Sequence, residues 1–363
     1  MNLNEIKKDY KKKLSNATKT EIENASYSFA LFSANINKFL PNISKSEYAK
    51  LFQDVLYHKR ISGAEQYDMN YLKCNKVINH SSIDLESKNI TSPTIFSSFH
   101  LGSYRLLNSY LYELGYKIVI IIDENVFLQQ QDDLMNNVKP LLDGTKGSDF
   151  VLLNINDRTS IFKLKNYIEQ GYIMTVYLDG NTSLNNKSQD FSKGYIAINF
   201  LNNNVFVKNG IGKLSALLGA TIIPAISFRD KNENNHLEFY KEIQIADFEN
   251  KQEFSIKSIE IAYKLLEKKL IEFPEQWECW MYLEKWFKRD FKTPYKVNKG
   301  ILNQFNNERF SMFKLDKSNF IFDLLDYQSY PIEQELANAI QENNFSKINT
   351  DLIKELQEKN III

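Results

Sequence analysis

The chain has 363 residues, 43% of them hydrophobic and 25% charged, which is typical of a globular protein with a large core. Lys plus Arg and Asp plus Glu both number 45, so the sequence shows no basic field for nucleic acid and no excess acid typical of a disordered chain. The two cysteines, Cys74 and Cys279, lie outside any spacing typical of a zinc site. We therefore expect no nucleic-acid partner, no metal and no permanently bound cofactor.

The N-terminal segment, residues 1–90, is predicted to be mainly helical. Apolar side chains recur at helical spacing from Tyr27 to Leu40 and stop at Pro41, whereas residues 61–92 are polar and are expected to be irregular. The first residues are too polar and too rich in lysine for a signal peptide, and no window is apolar over the length of a membrane span. We expect a cytoplasmic protein without a transmembrane segment, and a peripheral contact with the inner face of the membrane stays open.

From Thr94 onward, short apolar runs alternate with helical stretches. The predicted strands are TIFSSF, YKIVIIID, DFVLLNI, GYIMTVYLD and ATIIPAISF. Such alternation favours an α/β fold with a largely parallel central sheet, here assigned to residues 91–295. In such sheets ligands gather at the carboxyl ends of the strands, where His100, Asp123 and Asp179 are predicted to lie.

The C-terminal part of the chain is predicted to be helical first and then mixed. The stretch FSIKSIEIAYKLLEKKLIEFPEQWECWMYLEKWFKR indicates two helices with a turn at Pro274, and the tryptophans after it are expected to be buried. Residues 300–363 are expected to form a small α+β module in which short strands precede helices.

Four blocks of the sequence together resemble the lysophospholipid acyltransferase superfamily, and most closely its branch that acylates lipid A. They are FSSFHLGSYRLL, YLDGNTS, NNNVFVKNGIGKLSALLGATIIPAISF and FPEQWECWMYLEKWFKR, and they span roughly residues 90–290. The resemblance implies a layered α/β acyltransferase fold. It also implies transfer of an acyl group from an acyl carrier protein or acyl-CoA thioester to an amine or hydroxyl of a small molecule, peptide or lipid.

The resemblance assigns roles residue by residue. His100 matches the family's general base, and Asp179 with Gly180 matches an acid-glycine motif that contacts the acceptor. The other residues implied on the acceptor side are Gly102, Ser103, Arg105 and Asp123. The residues Lys208, Asn209 and Gly210 match a segment that lines the groove for the acyl-CoA or acyl-phosphopantetheine donor.

Arg105 departs from the family pattern, which has an acid five residues after the histidine. A guanidinium cannot accept a hydrogen bond from His100 and would disfavour the imidazolium that forms during proton abstraction. Three hypotheses remain: Asp123 or Asp179 supports His100 while Arg105 binds an anionic substrate group; His100 acts alone on an amine; or the site is inactive. In the third case the protein would be a non-catalytic peptide- or lipid-binding protein that retains the fold.

A second resemblance concerns the tail, residues 309–363. Its pattern of strands and helices resembles the small winged-helix, PqqD-like modules that bind leader peptides in ribosomal-peptide maturation. The alternative interpretation is a cap that packs on the main domain.

Overall fold

The computed structural model describes residues 3–67, 74–87, 90, 92–138, 149–180, 191, 193–288 and 304–363. The chain divides into two compact units, each made of two separate stretches. The first unit contains Met1–Lys11 and Gln53–Cys279, and the second contains Lys12–Phe52 and Trp280–Ile363.

The described residues form the following elements. The helices are α1 (Leu3–Ser15), α2 (Lys19–Phe39), α3 (Tyr48–Glu65), α4 (Leu106–Glu113), α5 (Glu124–Asp133), α6 (Ser160–Glu169), α7 (Gly210–Leu218), α8 (Lys251–Glu272), α9 (Gln334–Glu342) and α10 (Thr350–Glu358). The strands are β1 (Lys76–Asn79), β2 (Thr94–Ser98), β3 (Lys117–Ile122), β4 (Asp149–Asn154), β5 (Tyr172–Tyr177), β6 (Tyr195–Phe200), β7 (Asn203–Lys208), β8 (Thr221–Arg229), β9 (Asn235–Phe239), β10 (Phe310–Leu315), β11 (Ser318–Asp323) and β12 (Ser329–Ile332).

The first unit is built on a seven-stranded sheet with the order β1-β9-β8-β2-β5-β3-β4. Strands β8, β2, β5, β3 and β4 are mutually parallel, and β9 joins β8 in the antiparallel sense. The predicted α/β class, with its largely parallel central sheet, is therefore confirmed. Because β2 and β5 are neighbours, the residues that follow their carboxyl ends come close together.

The strands at the centre of the sheet are held by dense packing. All five residues of β2 are buried, as are the four inner residues of β5. Phe96 of β2 packs in one core cluster with Leu107 and Leu111 of α4, and Ile223 of β8 belongs to the same cluster. Burial of aliphatic and aromatic side chains on this scale fixes the positions of the strand ends.

Two segments differ from the sequence-based expectation. Residues 61–92 are not wholly irregular, because α3 continues to Glu65 and β1 pairs in parallel with β9, with Val77 opposite Leu237. Most of β1 is exposed, so its stability comes from backbone pairing at the sheet edge and not from an apolar pattern.

After Pro274, short 3₁₀ turns replace the predicted second helix. The Gln276 carbonyl accepts the Gly102 N–H at 3.0 Å, and Leu101 forms a bridge with Trp277. These long-range bonds take the place of helical ones. The burial predicted for the tryptophans is nevertheless confirmed, because Trp277, Trp280 and Trp286 have no exposed surface.

The second unit contains α2 and a three-stranded antiparallel sheet, β10-β11-β12, followed by α9 and α10. The strands-then-helices order expected of the tail is confirmed. The Ser26 hydroxyl of α2 accepts the Lys314 N–H of β10 at 3.0 Å, and the Tyr27 and Phe313 rings lie 4.9 Å apart. A cavity of about 470 Å³ in this unit is lined by Phe29, Ser33, Lys45, Tyr48, Phe305, Asn307, Phe310, Ser311, Met312, Leu324, Ile340 and Gln341. None of the predicted site residues lines it.

Two glycines provide a matched test of packing in the first unit. A Cβ at Gly212 in α7 would overlap the Ser255 carbonyl of α8 and come within 2.6 Å of Asn209 Oδ1, whereas a Cβ at Gly63 in α3 meets no atom within 4 Å. We expect Gly212→Ala to lower the free energy of unfolding by about 1–3 kcal/mol. Gly63→Ala should raise it by about 0.5–1 kcal/mol because the unfolded chain loses entropy. Urea denaturation of both variants checks this, and equal shifts would contradict it.

Candidate active site

The centre of the candidate site is a histidine-aspartate pair at the carboxyl ends of β2 and β5. His100 Nδ1 lies 2.7 Å from Asp179 Oδ1, and the His100 backbone N–H donates to Asp179 Oδ2 at 2.9 Å. Because a carboxylate only accepts, this contact assigns the proton to Nδ1 and leaves Nε2 as the basic nitrogen. The His100 side chain is 22% exposed and that of Asp179 is 0% exposed. The imidazole is thus partly exposed to solvent, whereas the Asp179 carboxylate that orients it is fully buried.

Asp179 is fixed by donors from the segment after α8. Trp277 Nε1 donates to Asp179 Oδ2 at 2.8 Å, and Cys279 Sγ lies 3.5 Å from the same oxygen. Beneath it, the Tyr263 hydroxyl donates to the Leu178 carbonyl at 3.0 Å. Since Oδ2 is occupied by these donors and by the His100 amide, Oδ1 is left to orient the imidazole.

The pair shifts the ionisation of both partners. Burial alone would lower the pKa of His100, but the charge and hydrogen bond of Asp179 outweigh it and hold this pKa above its ordinary value of 6.5. Burial would raise the pKa of Asp179, but His100 and the Trp277 donor hold it below 3.8. Asp179 therefore remains a carboxylate where His100 changes its charge.

Two tyrosines form the walls around the imidazole. The ring centroids of Tyr104 and Tyr177 lie 4.6 and 4.9 Å from that of His100. The Tyr177 hydroxyl donates to the Tyr104 carbonyl at 3.0 Å and accepts from Asn108 Nδ2 at 3.1 Å. The hydrogen bond from Asn108 connects Tyr177 to α4, so hydrogen bonds to the surrounding fold fix the position of these tyrosines.

The loop after His100 contains a glycine that is packed closely against strand β8. Helix α4 begins only at Leu106, so His100 does not stand at the start of a helix. Gly102 adopts a φ of +53°, and a Cβ there would lie 2.9 Å from Phe228 Cα. Only glycine fits this close approach without strain. Ser103 is fully buried.

Ser103 belongs to a buried polar network that sequence reasoning missed. Arg229 Nη2 lies 2.7 Å from Glu65 Oε2 and 2.9 Å from Ser103 Oγ, and Ser103 Oγ also donates to Glu65 Oε2. The Arg229 and Glu65 side chains are 1% and 3% exposed. Burial and the Arg229 charge lower the pKa of His58 to about 3, so its neutral ring accepts from Arg229 Nη1 at 3.1 Å. The network ties α3 and β8 to the loop that carries His100.

Arg105 lies beside this loop and does not contact Asp179 through any hydrogen bond of the described residues. Its Nη1 donates to the Ser62 carbonyl at 3.1 Å, and the guanidinium stands 4.4 Å from the centroid of the Tyr104 ring. Nη2 and Nε make no hydrogen bond to the described part of the chain, so they are available to an anionic group.

None of the remaining predicted site residues forms a hydrogen bond with His100 within the described part of the chain. Asp123 Oδ1 accepts the Val126 N–H at 3.0 Å, which begins α5. Lys208 pairs with Tyr195 in the β6-β7 hairpin. Asn209 occupies the N-cap position of α7 without a capping hydrogen bond from its side chain, and Gly210 is the first residue of this helix. Gly180 follows Asp179 directly, whereas residues 181–183 of the YLDGNTS block lie outside the described residues. A substrate contact by any of them stays a prediction.

The described residues show neither a metal cluster nor a membrane-spanning helix. No group of three or more His, Cys, Asp or Glu side chains in the described segments is arranged to hold a metal ion. Within those segments, no helix combines the length and the apolar character needed to cross a bilayer.

Comparisons of the chain with known proteins found similarity to solved structures alone. No protein-family model matches it, and no curated protein matches it. Among solved structures, it is similar to the 1-acyl-sn-glycerophosphate (LPA) acyltransferase PlsC from Thermotoga maritima, with a TM-score of 0.30 and 11% identity over 72% of this chain and 99% of that chain.

Proposed function

We propose that the protein is an acyltransferase that uses His100 as a general base and Asp179 as its supporting acid. The single observation that carries this proposal is the 2.7 Å contact between His100 Nδ1 and Asp179 Oδ1, with the acid fully buried and the base partly exposed. The sequence blocks around both residues resemble those of thioester-dependent acyltransferases. An acyl carrier protein or coenzyme A would carry the donor thioester, and the acceptor would present an amine or hydroxyl.

The pair can activate such an acceptor in a defined way. His100 Nε2 takes the proton of the acceptor as its oxygen or nitrogen attacks the thioester carbonyl. The Asp179 carboxylate fixes the tautomer and stabilises the imidazolium that forms, as in other histidine-acid pairs. The imidazolium then protonates the departing thiolate, which returns the histidine to its basic form.

Arg105 supports a more specific proposal about the acceptor. Its free Nη2 and Nε groups lie on the Tyr104 side of His100 and suit a phosphate or carboxylate. The supporting acid is Asp179 in this proposal, so Arg105 need not replace the family acid. It would instead hold an anionic group of the acceptor near the base.

Product analysis tests the acyltransferase proposal. Purified protein is incubated with a short-chain and a long-chain acyl-CoA and with a small-molecule extract, and mass spectrometry detects acylated products. We expect products with the wild type and none above background with His100→Ala. Equal product formation by both proteins would remove His100 from the mechanism. A bound lipid that is left unchanged by the wild type would favour a non-catalytic binding protein.

Arg105→Glu separates an anion site from a misplaced catalytic acid. If Arg105 binds an anionic acceptor group, the charge reversal should raise the acceptor KM by about 100-fold, since hydrogen bonds to charged groups contribute about 1.5–3 kcal/mol each. Steady-state kinetics with the identified acceptor measure the change. Arg60→Glu, on the exposed side of α3, is the matched control and should leave KM unchanged. A higher kcat for Arg105→Glu would show instead that the site lacks an acid.

A further inference from the structure

The backbone amides around His100 are already committed to other acceptors. The His100 N–H donates to Asp179, the Leu101 N–H to the Phe99 carbonyl at 2.8 Å, and the Gly102 N–H to the Gln276 carbonyl at 3.0 Å. Acyl transfer develops negative charge on the carbonyl oxygen, and preorganised donors that meet this charge contribute strongly to rate. The hydrogen-bond donor to the developing oxyanion must therefore be a group other than these three amides.

The aromatic ring of Tyr104 lies next to the base. Its ring centroid lies 4.6 Å from that of His100, and its hydroxyl has no hydrogen-bond partner among the described residues. The neighbouring Tyr177 differs, because its hydroxyl is used to hold the Tyr104 carbonyl. The scaffold thus fixes the backbone of Tyr104 and leaves its phenol group free for a ligand.

We propose that the Tyr104 hydroxyl donates a hydrogen bond to the carbonyl oxygen of the acyl thioester as this oxygen becomes negatively charged. This inference rests on the acyltransferase function proposed above. It makes Tyr104 a catalytic residue, in addition to His100 and Asp179, and it defines the side of the imidazole on which the thioester carbonyl lies.

The proposed step conserves atoms and charge. The acceptor forms a bond to the carbonyl carbon, its proton moves to His100 Nε2, and the electrons of the C=O double bond move to the oxygen facing Tyr104. When the intermediate collapses, the C=O bond re-forms, the C–S bond breaks, and the thiolate takes the proton from the imidazolium. Tyr104 keeps its own proton throughout.

The electrostatic surroundings of Tyr104 suit a donor. Burial raises the pKa of Tyr104 to about 12, so the phenol stays protonated at neutral pH, and the Arg105 charge opposes this rise. Arg105 stands 4.4 Å from the ring centroid. A cation at this position makes the phenol a stronger donor than it would otherwise be. A basic residue at position 105 is therefore compatible with catalysis.

Tyr104→Phe tests the inference, because it removes the hydroxyl and keeps the ring. Release of free thiol from palmitoyl-CoA is measured with the identified acceptor for the wild type, Tyr104→Phe and Tyr116→Phe. Tyr116 is the matched control, since its hydroxyl donates to the Leu85 carbonyl within the hydrophobic core. We expect kcat to fall about 100-fold in Tyr104→Phe at an unchanged KM for palmitoyl-CoA, as for the loss of one oxyanion donor. Tyr116→Phe should keep the wild-type kcat.

Inhibition by two ketones distinguishes a catalytic from a structural effect. Palmityl trifluoromethyl ketone hydrates to a form that resembles the tetrahedral intermediate, whereas the corresponding methyl ketone does not. We expect Tyr104→Phe to weaken the trifluoromethyl ketone at least about 10-fold more than the methyl ketone. An unchanged ratio, an unchanged kcat or a rise in KM alone would overturn the role of Tyr104. Absence of thiol release by the wild type would instead overturn the acyltransferase proposal itself.

Discussion

Asp179→Asn should lower kcat by about three to four orders of magnitude while the protein remains folded. An asparagine amide facing His100 favours the tautomer with the proton on Nε2, which cannot act as a base, and it cannot stabilise the imidazolium. Steady-state kinetics and a thermal melt of the same sample check both parts. Asp157→Asn is the matched control, because Asp157 is a partly exposed carboxylate that pairs with Lys163 and makes no hydrogen bond with His100 in the described structure.

The pH dependence of the wild type follows from the same pair. Since Asp179 holds the pKa of His100 above 6.5, the acid limb of kcat/KM should lie above that value. Any residual activity of Asp179→Asn should show this limb at lower pH, because the charge that stabilised the imidazolium is gone. A limb that stays in place would assign the titration to another group and contradict the pairing.

Arg229→Met should destabilise the first unit by about 3–5 kcal/mol, because it leaves the Glu65 carboxylate buried without its partner. Chemical denaturation monitored by tryptophan fluorescence measures the loss. Lys163→Met breaks the exposed pair with Asp157, whose side chains are 51% and 37% exposed, and should change stability by less than about 1 kcal/mol.

A double variant gives the matching test of the buried pair. Adding Glu65→Leu to Arg229→Met removes the stranded charge, so most of the lost stability should return. If the double variant were as unstable as Arg229→Met alone, the loss would come from packing around the guanidinium and not from an unpaired carboxylate.

The parallel strands were predictable because their signal is local. Residues 94–98 and 172–177 are short runs without a charged residue, and burial on both faces of a parallel sheet favours such uncharged runs. Because His100 and Asp179 follow two of these runs, the sequence predicts that both lie at the same edge of the sheet, where the strands end. Their adjacency was open, however, since strand order depends on how crossovers pack and not on either strand alone.

The supporting residues carried no local signal. Trp277 belongs to an apolar pattern that indicates a helix. Its indole can donate a hydrogen bond to Asp179 only because 3₁₀ turns replace that helix and bring the two side chains together. Arg229 ends a buried strand, where a charge is unexpected without its partner in α3, 164 positions away in the sequence. Tyr104 follows His100 closely in the sequence, but its proposed role depends on a hydroxyl that makes no hydrogen bond to the described residues.

The interleaving of the two units has a consequence for biosynthesis. Helix α2 packs on β10 through Ser26 and Tyr27, yet the whole of Gln53–Cys279 lies between the two parts of that unit. During translation, α2 therefore leaves the ribosome long before its partner strand β10 has been synthesised. The side chains of α2 that pack on β10 stay without this partner until then. The second unit is thus completed late, and a ribosome that stalls within the central sheet would release a chain in which α2 lacks its partner strand β10.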